Sequence, residues 1–200
     1  MSRPVLVLAT LNRAKARELV ESLGDVGHEI RLLAEWPGAA LPDETEETYA
    51  GNALLKARAA VRLTDRLVLA DDSGLEVDAL DGAPGLRSAR YGGPGLDDAG
   101  RVRRLLEALR GVPPERRTAR FRCVIALLAP GGGARFVEGL VEGVIAAAPR
   151  GRGGFGYDPV FFYPPLGRTL AELSPDEKAG VSHRSRAVAA ARAVLLGRPD

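Results

Sequence analysis

Short apolar runs alternate along the chain with stretches in which apolar positions recur every three or four residues. Residues 4–9, Pro-Val-Leu-Val-Leu-Ala, form a continuous apolar run that predicts a buried strand. Asn12 then stands where a helix cap is expected. The helix it opens carries Ala16, Leu19, Val20 and Leu23 on one face and stops at Gly24. Residues 29–33 predict a second strand. After a loop ending in Asp43-Glu44-Thr45, a helix start at Thr45 is expected, with Glu46 and Glu47 in its first turn and Ala53, Leu54, Ala57 and Val61 at helical spacing. Leu67-Val68-Leu69-Ala70 is a short apolar strand that runs straight into Asp71-Asp72-Ser73-Gly74, and a turn-rich stretch to Gly95 follows. Residues 97–110 have the period of an amphipathic helix, with Val102, Leu105, Leu106 and Leu109 on one face. Residues 118–129 and 134–146 predict two long antiparallel strands about Pro130-Gly131-Gly132-Gly133, and a last helix is expected from Ser182 through Val188, Ala191, Val194 and Leu195. This order predicts an α/β protein with a mixed sheet and flanking helices.

Composition narrows the classes. The 200 residues are 46% hydrophobic and 27% charged, enough for one domain with a sizeable core. No apolar run is long enough to span a bilayer, and the N-terminal residues lack a secretory pattern, so a cytoplasmic protein is expected. The single Cys123 lies in an apolar strand and reads as a buried thiol; one cysteine excludes an intrachain disulfide and a multi-cysteine zinc site. Net charge is only +2, and the basic residues are spread among acidic ones, which argues against a nucleic-acid patch. Lysine is scarce, at positions 15, 56 and 178 alone. Each is worth following, since an ammonium is a compact charge suited to phosphate.

Several clusters can carry chemistry. Asp71 and Asp72 at a strand end suit a hard cation such as Mg²⁺, which takes one or two carboxylates plus substrate phosphates; the same residues also make an ordinary turn. Thr10-Leu11-Asn12-Arg13-Ala14-Lys15 puts polar and cationic groups at the positive end of a helix, an arrangement that suits an anion, although the P-loop pattern is absent. Glu44 is a candidate companion to the two aspartates. Gly151-Arg152-Gly153-Gly154-Phe155-Gly156-Tyr157-Asp158 offers close backbone approach, two aromatic faces and a carboxylate; it reads equally as a loop whose aromatics plug the core. Ser182-His183-Arg184 places cations in the first turn of a helix, which is unfavourable unless an anion is present. A Ser-His-Asp hydrolase has no nucleophile elbow here.

Taken in order, Thr10-x-Asn12-x-x-Lys15, Glu44-Thr45, Asn52-Ala53-Leu54-Leu55-Lys56-Ala57, Ala70-Asp71-Asp72-Ser73-Gly74-Leu75, Gly82-Ala83-Pro84-Gly85 with Ser88-Ala89-Arg90-Tyr91, Gly153 to Pro159 and Ser182-His183-Arg184 resemble the inosine triphosphate pyrophosphatase family, also called Ham1-like or dITP/XTP pyrophosphatases. The pieces cover nearly the whole chain. The resemblance implies a single elongated domain, residues 1–200, with two lobes around a cleft, usually as a homodimer. It implies Mg²⁺-dependent hydrolysis of ITP, dITP and XTP to monophosphate and pyrophosphate; the spread charge and the lack of a long apolar run argue against a stable nucleic-acid or membrane partner. It assigns Asp72 as base and metal ligand, with Glu44 and Asp71 supporting the metal. Thr10, Asn12, Arg13, Lys15 and Ser73 match phosphate contacts. Phe155, Gly156, Tyr157, Asp158, Lys178, His183 and Arg184 match the base and substrate pocket. Leu11 departs from the small residue common in relatives. A pyrophosphatase for another base and a non-catalytic nucleotide or nucleic-acid binder are the rival readings.

Overall fold

The computed structural model describes residues 3–197. Seven strands form one mixed sheet in the order β2-β1-β3-β4-β5-β6-β7. They are β1 (Val5–Leu8), β2 (Glu29–Leu32), β3 (Leu67–Val77), β4 (Thr118–Leu128), β5 (Ala134–Ile145), β6 (Phe161–Tyr163) and β7 (Arg168–Thr169). The helices are α1 (Arg13–Leu23), α2 (Tyr49–Thr64), α3 (Asp98–Ala108), α4 (Pro175–Val181) and α5 (His183–Leu195). β1 pairs in parallel with β2 and β3, whereas β6 pairs antiparallel with β5 and β7. The α/β class and the flanking helices are as the periodicity predicts. No helix among the described residues is long and apolar enough to cross a membrane.

The chain forms two compact units. The first comprises Met1–Asp72, Cys123–Gly139 and His183–Asp200, and the second Ser73–Arg122 and Leu140–Ser182. In the first, the alternation of strand side chains builds two apolar layers. Leu6 and Leu8 of β1, Leu69 of β3 and Cys123, Ile125 and Leu127 of β4 pack with Leu19 and Leu23 of α1 and Ala187, Val188 and Ala191 of α5. The intervening residues Val7, Val68, Ala70, Ala126 and Leu128 pack with Ala53, Ala57 and Ala60 of α2. Each fully buried leucine here contributes about 1.5–3 kcal/mol of transfer free energy. The second unit has its own core, in which Leu75 and Val77 of β3 meet Val102 and Leu105 of α3, Leu109 just after that helix, and Phe121, Val141 and Phe161 from the sheet.

Three expectations need correction. The apolar strand does not turn at Asp71-Asp72-Ser73-Gly74; β3 continues to Val77. Leu75 and Val77 keep the two-residue alternation and bury in the second core, which outweighs the local turn preference of Asp, Ser and Gly. α2 starts at Tyr49, capped by the Thr48 hydroxyl, which accepts from the Gly51 amide; the Glu46 amide is instead taken by the Asn52 side chain, so Thr45 lies outside the helix. Val20, expected on the apolar face of α1, is 40% exposed.

Candidate active site

At the start of α1 the Asn12 side chain accepts from the backbone amides of Ala14 and Lys15, as expected of a cap. The Asn12 amide in turn donates to the Thr10 hydroxyl. Asn12 and Arg13 remain exposed, while Thr10 is buried. A groove of about 630 Å³ on this side of α1 is lined by Thr10, Leu11, Asn12 and Arg13 together with Ala16 and Val20. Leu11 therefore fills space beside the capped turn with an exposed apolar side chain.

Because β3 is extended through both aspartates, Asp71 and Asp72 point to opposite faces of the sheet. Asp72 lies on the α2 side. Its Oδ2 accepts from Asn52 Nδ2 at 3.1 Å and its Oδ1 from Lys56 Nζ at 3.3 Å. Lys56 Nζ also donates to Glu44 Oε1 at 2.9 Å. Two carboxylates thus converge on one buried ammonium. Asn52 and Lys56 stand four apart on one face of α2, so one helix supplies both partners of Asp72. Burial pushes the Asp72 carboxyl up to about 6; Lys56 opposes this and Glu44 adds to it by charge repulsion. Burial would lower Lys56, but Asp71, Asp72 and Glu44 outweigh it and raise its pKa.

Asp71 lies on the α1–α5 side and is 2% exposed. Lys15 Nζ is 3.2 Å and Arg184 Nε 3.7 Å from its Oδ2. Arg184 also pairs with Glu18 of α1. Burial works to raise the Asp71 carboxyl, but Lys15, Arg184 and Lys56 outweigh it and hold it well below the usual carboxylate range. The cation in the first turn of α5 therefore has an internal anion, which removes the local inconsistency read from the sequence. α5 can come this close because β5 has Gly139 beneath it: a Cβ there would sit 2.1 Å from the His183 carbonyl oxygen and 2.3 Å from the Ala187 nitrogen. His183 is buried.

In the second unit the glycine-rich loop is folded about Asp158. Its Oδ2 accepts from the Phe155 amide at 2.9 Å and from Lys178 Nζ at 2.7 Å. Gly154 has φ +68°, and a Cβ there would lie 2.1 Å from the same oxygen, so this position requires glycine. Lys178 Nζ stands 4.8 Å from the Phe155 ring centroid. The Gly156 amide donates to Asp98 at the start of α3. Lys178 is held on α4, which the apolar pattern did not reveal; Ser174, Pro175 and Glu177 form the capping box and first turn that mark it. Tyr157 is a correction: it is buried in the core of this unit with its hydroxyl donating to the Ser88 carbonyl, and presents no free aromatic face. Ser73 is half-buried on β3. Cys123 is buried, and its thiol is pushed up to about 12 by burial; it is no nucleophile.

These placements bear on metal binding. Among the described residues, no group of three or more His, Cys, Asp or Glu side chains could hold a metal ion. Asp72 and Glu44 supply two hard oxygen donors already gathered around a cation, which fits an ion that completes its shell with phosphate and water. Asp71 faces away from this pair.

Residues 6–194 match the model of the Ham1 family. The chain belongs to the Ham1 family. It is 51% identical over 183 residues to the dITP/XTP pyrophosphatase of Geobacillus kaustophilus, covering 92% of this chain and 90% of that relative. It is 49% identical over 190 residues to the dITP/XTP pyrophosphatase of Desulforamulus reducens, covering 95% and 94% of the two chains. Among solved structures it is similar to a HAM1 protein from Coxiella burnetii, with TM-score 0.89, 41% identity and coverage of 97% of this chain and 99% of that one.

Asn52 and Glu18 were given no role from the sequence, and Lys56 stood out only as one of three lysines and as part of a matching segment; the spacing of Asn52 and Lys56, four apart on one helix face, was the available signal. Glu18 gave none, because a polar residue on an amphipathic helix reads as a solvated one.

Proposed function

We propose that this chain hydrolyses nucleoside triphosphates of deaminated purines (ITP, dITP and XTP) to the monophosphate and pyrophosphate, and so removes them from the nucleotide pool. The observation that carries the reading is the pair of carboxylates, Asp72 and Glu44, gathered on the Lys56 ammonium in a chain of this family. We assign Asp72 and Glu44 as the residues that would hold Mg²⁺. When bound, that ion would neutralise charge on the phosphate oxygens. Asp71 is left out of the set.

Asp72 has one further task. Its carboxylate, oriented by the Asn52 side-chain amide and the Lys56 ammonium, is the proposed proton acceptor. It takes a proton from water as the water oxygen bonds to the α-phosphorus, and the bond from that phosphorus to the bridging oxygen breaks to release pyrophosphate. No nucleophilic side chain is needed. Lys15, Arg13, Asn12, Thr10 and Ser73 are the proposed phosphate contacts, and cations among them oppose the charge of the triphosphate.

The purine is assigned to Phe155, Gly156, Asp158, Lys178, His183 and Arg184. A donor directed at the 6-oxygen of a deaminated purine is left unpaired by the amino group of adenine, and an unpaired buried donor gives strong rejection. Lys178, fixed by Asp158 and the Phe155 ring, is the donor proposed. Replacing Lys178 by Ala should erode the preference for ITP over ATP; an unchanged ratio removes that role from Lys178. The cytoplasm is the proposed compartment and a homodimer the proposed assembly. Turnover of ITP, dITP, XTP, GTP and ATP with and without Mg²⁺, with products identified, tests the whole reading. Monophosphate plus pyrophosphate from ITP, only with Mg²⁺, is expected. Release of orthophosphate, a preference for a pyrimidine substrate, or binding without turnover contradicts it.

A further inference from the structure

One carboxylate oxygen serves two cations that the proposed function assigns to opposite ends of the substrate. Asp71 Oδ2 lies 3.2 Å from Lys15 Nζ, in the first turn of α1, and 3.7 Å from Arg184 Nε, in the first turn of α5. Asp71 and Arg184 are 2% and 3% exposed, so water screens this contact little. Glu18, one turn beyond Lys15 on α1, pairs with the same guanidinium through Nη1. The two helices pack on the same face of β3 and share its apolar layer. Asp72, with Asn52 and Lys56, occupies the other face.

We propose that Asp71 is a positioning residue and not a metal ligand: through Oδ2 it holds Lys15 and Arg184 together and thereby couples recognition of the triphosphate to recognition of the base. The proposal rests on the reading that Lys15 meets phosphate and Arg184 the purine. Long cationic side chains lose much rotamer freedom when they bind, and holding them in place beforehand lowers the cost of binding substrate. Asp71 also separates two positive charges that would repel each other. A phosphate that draws on Lys15 leaves Asp71 more fully to Arg184, so each end of the substrate alters the setting of the other.

The test is Asp71→Asn, assayed with ITP and ATP over a range of Mg²⁺. The KM for ITP should rise about tenfold while kcat falls less, and the ITP-to-ATP preference should narrow by a similar factor. The Mg²⁺ concentration for half-maximal rate should stay within about twofold of wild type. A tenfold rise in that concentration with KM unchanged makes Asp71 a metal ligand and overturns the proposal, as does a variant indistinguishable from wild type. If Asp71→Asn does not fold, Lys15→Ala, Arg184→Ala and the double variant decide the matter with Asp71 intact. Their effects on the KM for ITP should be non-additive by about threefold or more, and additivity overturns the proposal. Failure of the underlying reading is recognised separately, by wild-type protein that releases no pyrophosphate from ITP. The same cycle scored by urea midpoints then still decides, with additive shifts again counting against the coupling.

Discussion

Asp71 and Asp72 are neighbours of the same residue type on one strand, yet they occupy opposite environments. Asp71 faces α1 and α5, where Lys15 and Arg184 close on a single oxygen and keep it ionised. Asp72 faces α2, where it shares one ammonium with Glu44 and its carboxyl is pushed up to about 6, chiefly by burial. The side-chain alternation of a strand is the whole cause of the divergence. The comparison teaches that two adjacent carboxylates on an extended strand face different partners and need not act as a pair. One is paired with two cations, and the other shares a single ammonium with a second carboxylate.

The strongest way to break this comparison is to remove the Asp72 charge. Asp72→Asn should lower kcat by at least about 10²-fold, because the proposed proton acceptor is lost. Near-normal turnover in steady-state assays would transfer the role elsewhere. Next is Lys56→Met, which leaves Glu44 and Asp72 facing each other without their shared cation. Activity should fall about 10- to 100-fold, as for loss of a group that orients metal ligands. The pH profile gives the sign independently. Lys56 lowers the Asp72 pKa, so removing it should move the acid limb of kcat/KM to higher pH; a limb that stays or moves down contradicts the arrangement. A smaller effect should follow from Gly139→Ala, which strikes the Asp71 side only. The methyl group would collide with the first turn of α5, and overpacking of this kind costs about 1–3 kcal/mol in urea denaturation.

Much of this architecture was legible because local signals agreed with the fold. β1, the Asn12 cap, α3 and the β4–β5 pair follow from apolar period and turn residues, and the ordered segments marked the family. The misreadings arose where a distant partner overrode a local preference. Asp71-Asp72-Ser73-Gly74 looks like a turn until Leu75 and Val77 find the second core. Tyr157 looks like a stacking platform until Ser88 takes its hydroxyl. The roles of Asn52, Lys56 and Glu18 depend on which helix covers which face of β3, and short-range periodicity does not encode that. Once the strand is known to run through both aspartates, their placement on opposite faces follows.

The same division carries a stability signature of opposite sign. For Asp71, a depressed folded pKa means stability that is present above its ordinary value of 3.8 and lost as pH falls through the lower folded value. For Asp72, a folded pKa of about 6 means that stability falls as pH rises from 3.8 through 6, with the full penalty present at pH 7. Urea denaturation of Asp71→Asn and Asp72→Asn at pH 7, without divalent cation, is therefore the most direct test of the account. Asp71→Asn should lose about 3 kcal/mol, as on breaking a buried ion pair. Asp72→Asn should gain about 1 kcal/mol over wild type, and that gain should vanish below pH 3.8. Shifts of the same sign in the two variants would contradict it.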